Sequence, residues 1–188
     1  MPKPQTIRSM LVPGHRLDAG RARDVAALIL ATPRRTAQVV ECLWDDEAGV
    51  ANRAADALER ASYHLPSLLA PWKDALLARL AEAEHNKLRW NLALMIARLK
   101  LTAPETERAM IALRKYLEDR GSIVRTAAMH GMAGLALQNP ALLPEVLDTL
   151  RILTRSGTPA MRARGRILLK KLETADKPVR SHKTLLIH

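Results

Sequence analysis

Five cations near the end of the chain form the pattern with the clearest chemical meaning. Arg162, Arg166 and Lys170 lie four residues apart and so share one helix face, which Arg164 and Lys171 widen. Such a ridge would contact an anion or a phosphate backbone, with an affinity that falls as salt rises. No aromatic residue lies among these cations, which disfavours base stacking there. The alternative is structural: a terminal helix keeps a polar outer side because nothing covers it.

Other residues that could do chemistry lack the spacing that catalytic or metal sites need. The six histidines form no His-x-x-x-His or Glu-x-x-His pair on one helix, and a single cysteine argues against zinc. No nucleophile elbow, Walker loop or dinucleotide-binding glycine motif is present. We therefore expect no catalytic residue, no metal and no cofactor. His130 is interpreted as lining the core or a groove, and Cys42 as a buried structural thiol.

The formal charge of +11 is unevenly distributed along the chain. Residues 1–40 carry +5, residues 41–150 carry −2, and residues 151–188 carry +8. Basic ends favour anionic partners, although solubility alone explains much of such a charge. No apolar segment is long enough for a signal peptide core or a membrane span, so we expect a cytoplasmic protein without a membrane contact.

Proline and polar capping residues divide the chain into short helices. Thr32-Pro33, Asn139-Pro140 and Thr158-Pro159 each place a capping side chain before a proline in the first helical turn. Thr102 and Glu105 have the spacing of a capping box. The connections between these starts leave no room for a sheet, so we predict an all-α protein.

The short helices are predicted to form pairs, and the second helix of each pair recurs at a regular spacing along the sequence. Their first apolar residues stand 38, 36 and 37 residues apart, at Val50, Leu88, Val124 and Met161. An arginine directly follows the last three of them, at Arg89, Arg125 and Arg162. An acid stands five residues before the first and third, at Asp45 and Asp119. A period near 37 residues with two helices per period is typical of a helical solenoid, and the competing tetratricopeptide pattern of about 34 residues does not fit.

This combination of turn acid, five-residue step and apolar-Arg pair resembles the HEAT-repeat (armadillo-like) family, over about residues 33–172. The resemblance implies a right-handed α-solenoid of HEAT-like helical hairpins (an α-α superhelix). In that family the turn Asp and the helix-opening Arg form a ladder of hydrogen bonds between neighbouring repeats. The matching positions here are Asp45, Asp119, Arg89, Arg125 and Arg162. Only the third repeat, with Asp119 and Arg125, carries both.

The resulting organisation is one domain over residues 1–188. Residues 1–31 hold an N-terminal segment, which Ile7, Met10, Leu11 and Val12 would dock in extended form over the first helix, and a capping helix from Gly20 to Ala31. About four repeats fill residues 33–173, as the helix pairs 33–45 with 48–63, 66–82 with 86–101, 103–118 with 122–138, and 140–155 with 158–173. A tail over 174–188 begins where Lys177-Pro178 breaks the pattern, and Leu185 to Ile187 would fold back or contact another copy.

The helix from Ser122 has one buried stripe and two glycines. Gly131 and Gly134 each cost helix stability, about 1 kcal/mol relative to Ala. A close approach to a neighbouring helix would offset that cost.

Tryptophan beside an acid raises one enzymatic alternative. Some HEAT-like proteins are DNA repair glycosylases with Trp and Asp along a basic groove, and Trp44-Asp45-Asp46 and Trp72-Lys73-Asp74 resemble that arrangement. Tryptophan in a chain without Phe is more often part of the core, however. A pocket that holds Trp next to an unpaired carboxylate would support the enzyme.

These observations predict a non-catalytic scaffold that binds another macromolecule through the surface of the second helices. A protein partner is favoured over nucleic acid because the middle of the sequence is neutral to acidic. The alternative is a nucleic-acid-binding protein that uses the basic C-terminal helix.

Overall fold

Helices make up all the regular structure in the part of the chain that the structure describes. A computed structural model describes residues 6–12 and 21–183, with side chains up to residue 175. No strand occurs within these ranges. The α-helices are α1 (Ile7–Leu11), α2 (Arg21–Ala31), α3 (Thr36–Glu41), α4 (Ala48–His64), α5 (Lys73–Glu82), α6 (Asn86–Ile96), α7 (Ala103–Leu117), α8 (Ser122–Gln138), α9 (Leu143–Ser156) and α10 (Pro159–Lys183). Four 3-10 turns cover Pro33–Arg35, Cys42–Trp44, Pro66–Trp72 and Pro140–Leu142.

The helices pack in two rows. The second row, as we call it, consists of α2, α4, α6, α8 and α10, each packed against the next. The first row consists of α3, α5, α7 and α9, which pair in turn with α4, α6, α8 and α10. The short α1 contacts α2, α3 and α4 at the N-terminal end. These pairs follow the four predicted helix pairs. The differences are that 3-10 turns form both ends of the predicted helix 33–45 and the first parts of the predicted helices 66–82 and 140–155, that α6 ends at Ile96, and that α10 continues past residue 173.

Predicted capping contacts are present at three of the four helix starts. The Thr102 N–H donates to Glu105 Oε2 at 2.7 Å, Asn139 accepts from the Ala141 N–H at 3.2 Å, and Thr158 accepts from Met161 at 3.4 Å. Thr32 stands at the N-cap of the 3-10 turn that begins at Pro33, as predicted, but without the expected capping contact. Its backbone (φ −137°, ψ 75°) differs from the extended geometry of Thr102 (φ −69°, ψ 168°), and its hydroxyl makes no capping bond.

Two equivalent hydrogen bonds link successive helix pairs in the first row. Arg79 Nε donates to the Leu43 carbonyl at 2.9 Å, and the Tyr116 hydroxyl donates to the Leu80 carbonyl at 2.5 Å. The two donors are 37 residues apart in sequence, and so are the two acceptors. Burial raises the pKa of Tyr116, so its hydroxyl remains a donor. The same contact is therefore made twice, one sequence period apart.

Helix α8 approaches α6 closely at two of its glycines. A Cβ placed on Gly134 would stand 2.6 Å from the Ala97 Cβ, and one on Gly131 would stand 2.9 Å from the Ala93 carbonyl oxygen. The predicted stripe of α8 is buried, including Val124, Met132 and Leu135. The close approach expected from the two glycines is confirmed.

Both ends of the described chain differ from prediction. Ile7 and Leu11 are buried, but they lie on the short helix α1 rather than on an extended segment, because the Thr6 side chain caps it by accepting from the Ser9 N–H. At the other end α10 runs to Lys183, past Pro178. Ala175, Lys177 and Arg180 are good helix formers, which offsets part of the cost that Pro178 imposes by removing one backbone hydrogen bond and crowding the preceding turn. Leu185 to Ile187 lie outside the described residues.

Among the described helices, none is both long enough and apolar enough to cross a membrane.

Cys42 is buried, as predicted, and burial raises the pKa of its thiol.

Candidate binding surface of the second row

The predicted ladder contains one strong rung, between Arg89 and Asp119. Arg89 Nη1 donates to Asp119 Oδ2 at 2.6 Å, and Arg89 Nε donates to the Ala83 carbonyl at 2.7 Å. Asp119 also accepts from the Gly121 N–H at 2.7 Å. The partner of Asp119 is therefore the arginine of the preceding pair, and not Arg125 of its own pair.

Asp45 makes the same kind of contact with a residue that the repeat pattern did not include. Arg8 Nε and Nη2 of α1 donate to its two carboxylate oxygens at 2.6 and 3.0 Å, and the Glu47 N–H donates to Oδ1 at 3.0 Å. The Arg8 contact lowers the pKa of Asp45. Ile7-Arg8 is an apolar-Arg pair like Leu88-Arg89, which is the signal that could have identified it.

The remaining ladder arginines have no carboxylate partner among the described residues. Arg125 Nε is buried without a hydrogen bond, and the position where the next acid would stand is Ser156. Arg162 Nη1 donates instead to the Gly157 carbonyl at 3.3 Å. The ladder is therefore discontinuous.

The structure separates the five predicted cations of α10 into different groups. Arg162 points to the turn before α10, whereas Arg164 lines a cavity shared with α6 and α8. Arg164 and Lys171 are close enough to His130 of α8 to lower its pKa. All five are exposed, and Arg164, Arg166, Lys170 and Lys171 pair with no described carboxylate. On the continuous helix α10, Arg164 and Lys171 share one face, and Arg162, Arg166 and Lys170 lie on another, so the expected single ridge is two faces, of which the first lies toward α6 and α8 at Arg164.

Charge is segregated between the two rows. The second-row helices carry 15 Lys and Arg against 5 Asp and Glu, whereas α1 and the first-row helices together carry 8 against 7. Helices α6 and α8 contain no acid, and α10 contains none before Glu173. The acids that make the middle of the sequence neutral lie mostly in the first row and in the turns.

Three adjoining cavities run across the second row. The first lies between α2 and α4, with a volume of about 410 Å³, and is lined by Arg23, Arg60 and Tyr63. The second, of about 360 Å³, lies between α4 and α6 and includes Arg60 and Trp90. The third, which we name the Trp90 cavity, has a volume of about 420 Å³ and lies among α6, α8 and α10. Its lining includes Trp90, Leu94, Thr126, His130, Ala160 and Arg164. Arg60 lines both the first and the second cavity, and Trp90 lines both the second and the third, so the three adjoin one another and are together called the groove.

Trp90 is 36% exposed and Trp44 is 42% exposed, so the expectation that tryptophan belongs to the core is wrong for both. Trp72 is partly buried and packs against the core. Trp44 lies beneath Arg79, whose guanidinium is 5.7 Å from the ring. Trp90 and Leu94 are four residues apart on α6 and share one helix face, but their spacing does not show whether a neighbour covers that face.

Two of the three carboxylates in these Trp-Asp segments have partners, and the third, Asp46, is exposed. Asp45 binds Arg8, and Asp74 lies 3.1 Å from Arg108. In the cavity between α4 and α6, Arg60 Nε donates to Asp56 at 2.9 Å. None of the residues that line the Trp90 cavity is acidic. An activity that needs a free carboxylate beside Trp90 gains no support from this arrangement. The described residues contain no group of His, Cys, Asp and Glu arranged to bind a metal ion.

His130 lies in the Trp90 cavity and has a lowered pKa. Partial burial is the main cause, followed by the positive charges of Arg164, Arg98 and Lys171, while Glu59 acts in the opposite direction. His130 is therefore the groove-lining residue that the sequence suggested, and it is neutral at pH 7.

We expect the NMR titration of the His130 ring to have its midpoint below 6.5, the ordinary histidine value. Because the folded pKa is depressed, the unfolded chain binds this proton first, so stability falls as pH drops below about 6.5. His130→Gln assigns the resonance and removes this part of the pH dependence. A midpoint above 6.5 would contradict the described position of Arg164 and Lys171.

The chain matches no known family model, and no curated protein shows significant sequence similarity to it.

Proposed function

We propose that the chain is a right-handed α-solenoid of HEAT-like repeats that acts as a non-catalytic binding module. The unbroken series of contacts from α2 to α10 supports this assignment. So do the equivalent Arg79 and Tyr116 hydrogen bonds, whose donors and acceptors each recur after 37 residues. In this proposal the groove of the second row holds another macromolecule.

The observation that carries the proposal is the acid-free surface of α6, α8 and α10. This surface combines the exposed apolar residues Trp90 and Ile123 with the unpaired cation Arg164 of the same cavity and with Lys171, which shares a face of α10 with Arg164. Apolar residues exposed together in a groove are typical of binding sites. Unpaired cations beside them favour an anionic partner.

A protein partner was favoured because the middle of the sequence is neutral to acidic. The difference in charge between the two rows removes that reason. That preference assumed a neutral binding surface, but Glu105, Glu107 and Glu145 of the first row account for part of the neutrality. Glu105, for example, binds Lys73 at 2.9 Å and has its pKa lowered to about 2, mainly by the Thr102 N–H. The proposed partner is therefore an anionic macromolecule, which an acidic protein segment or a nucleic acid would provide.

Charge reversal on each row tests this proposal. Arg164→Glu with Lys171→Glu should make the chain elute from immobilised heparin at clearly lower salt, because a polyanion loses two contacts in the groove. The matched control is Lys115→Glu with Arg120→Glu, two exposed cations outside the second row with the same change in net charge. Equal shifts for both variants would mean that net charge alone drives retention, and the proposed surface would be rejected.

A further inference from the structure

We infer that the anionic partner is a single-stranded nucleic acid, and that the Trp90 cavity holds one of its bases. This inference rests on the proposed function, since it names the ligand of the same groove. Its three parts are the continuity of the groove, the composition of the Trp90 cavity and the positions of the cations along the groove.

The continuity of the groove favours a polymer. Arg60 lines both of the first two cavities and Trp90 lines both of the last two, so the groove extends from α2 to α10. With neighbouring helix axes about 8–10 Å apart, five helices span about 35 Å. A flexible strand of several nucleotides would occupy such a length, whereas one small molecule would fill a single cavity.

The Trp90 cavity has the composition of a base-binding site. The indole of Trp90 gives a flat aromatic surface, and Leu94, Ala127 and Ala160 add small apolar walls. His130 adds a polar ring whose nitrogens can pair with a base edge. Stacking on an aromatic side chain is the main base contact in proteins that bind single strands without sequence preference. A duplex keeps its bases stacked inside, so it would not fill this cavity.

The cations lie where a strand that passes the cavity would place its phosphates. Arg164 is at the cavity edge, and Lys171 lies seven residues further, about 10 Å along α10. On the other side of Trp90, Lys87 and Arg53 line the cavity between α4 and α6. Arg53 donates to the Leu11 and Gly49 carbonyls and to no described carboxylate. An acidic peptide would use these cations but would have no planar group for the space beside Trp90.

Fluorescence anisotropy with the full chain tests the inference, using labelled oligothymidylate of about 20 nucleotides. The comparison ligands are its duplex with oligoadenylate and a labelled polyglutamate of similar length. We expect the single strand to bind most tightly. Trp90→Ala should weaken single-strand binding about 5- to 150-fold, with little change in salt dependence. Trp90→Phe should retain most of the affinity, which separates loss of the ring from loss of the fold.

Neutral substitutions report on the phosphate contacts. Arg164→Ala with Lys171→Ala should reduce the slope of log affinity against log salt by about 1.4. Each phosphate contact of a single strand contributes about 0.7 to that slope, and this variant removes two. Trp44→Ala, at an exposed tryptophan outside this groove, should leave affinity unchanged. Tighter binding of polyglutamate or duplex, or full affinity in Trp90→Ala, would overturn the inference. The heparin result would then still decide the proposed function, because that experiment does not depend on the type of polyanion.

Discussion

Gly134→Val is expected to lower the free energy of unfolding by about 3 kcal/mol. At this position the neighbouring atoms belong mainly to the backbone of α6: the Ala97 Cβ, carbonyl oxygen and Cα would lie 2.6, 3.0 and 3.2 Å from a new Cβ. Backbone atoms cannot rotate away, so α6 and α8 must separate. Overpacking of this kind costs typically 1–3 kcal/mol, and valine adds two methyl groups beyond the first carbon. Urea unfolding followed by circular dichroism measures the loss.

Two further variants show whether close packing is the cause. Ala163→Val introduces a β-branched side chain at an exposed position of α10, where no other helix packs against it. It should lower the free energy of unfolding by under about 1 kcal/mol. Ala97→Gly combined with Gly134→Ala removes the Cβ that the new methyl group would meet, so part of the stability lost in Gly134→Ala alone should return. A Gly134→Val protein as stable as the wild type would contradict the described distance between α6 and α8.

This close approach also affects the candidate binding surface. Trp90 lies on α6 and His130 on α8, so the separation of these two helices sets the width of the Trp90 cavity. Small residues at Gly131 and Gly134 therefore have two consequences, a dense core between the helices and a narrow cavity at the surface. The conformational cost of two glycines in one helix is consistent with a need for that geometry.

Local sequence signals predicted most of the helix pattern. Thr102 with Glu105 and Asn139 with Pro140 fix helix starts by contacts within four residues, and such contacts form whatever lies further away. Gly131 and Gly134 likewise predicted a close neighbour. The short helix α1 and the continuation of α10 past Pro178 were not predicted, because neither follows from capping or periodicity alone.

The binding surface could be predicted only in part, because it depends on which helices lie side by side. Charge summed along residues 41–150 averages over both rows and hides the acid-free α6 and α8. Counting charge separately for alternate helices would have revealed the difference. The exposure of the Trp90 side chain could not be predicted from the sequence, since its face of α6 would be buried if another helix covered it. Arg164 and Lys171 were identified as candidate contacts, but their direction relative to His130 comes from packing.

Asp119→Ala is expected to be the most damaging change among the ion pairs, with a loss of about 3 kcal/mol. The Asp119 side chain is 5% exposed and pairs with Arg89, which is 29% exposed. Removing one partner of a largely buried pair costs about 3–5 kcal/mol, because the other charge loses its compensation, and partial exposure of Arg89 places this case at the lower end. The Gly121 N–H also loses its acceptor. Thermal or urea unfolding measures the effect.

The exposed pair between Asp74 and Arg108 provides the matched comparison. Their side chains are 83% and 52% exposed, so Asp74→Ala should change stability by less than about 1 kcal/mol. Equal losses for the two alanine variants would show that burial is not what makes Asp119 important. Asp119 fixes the turn before α8, and Ser122 and Ile123 at the start of α8 line the Trp90 cavity. Asp119→Ala should therefore also weaken oligothymidylate binding, whereas Asp74→Ala should not. An ion pair that holds two helix pairs together would in that case also hold one wall of the binding groove in place.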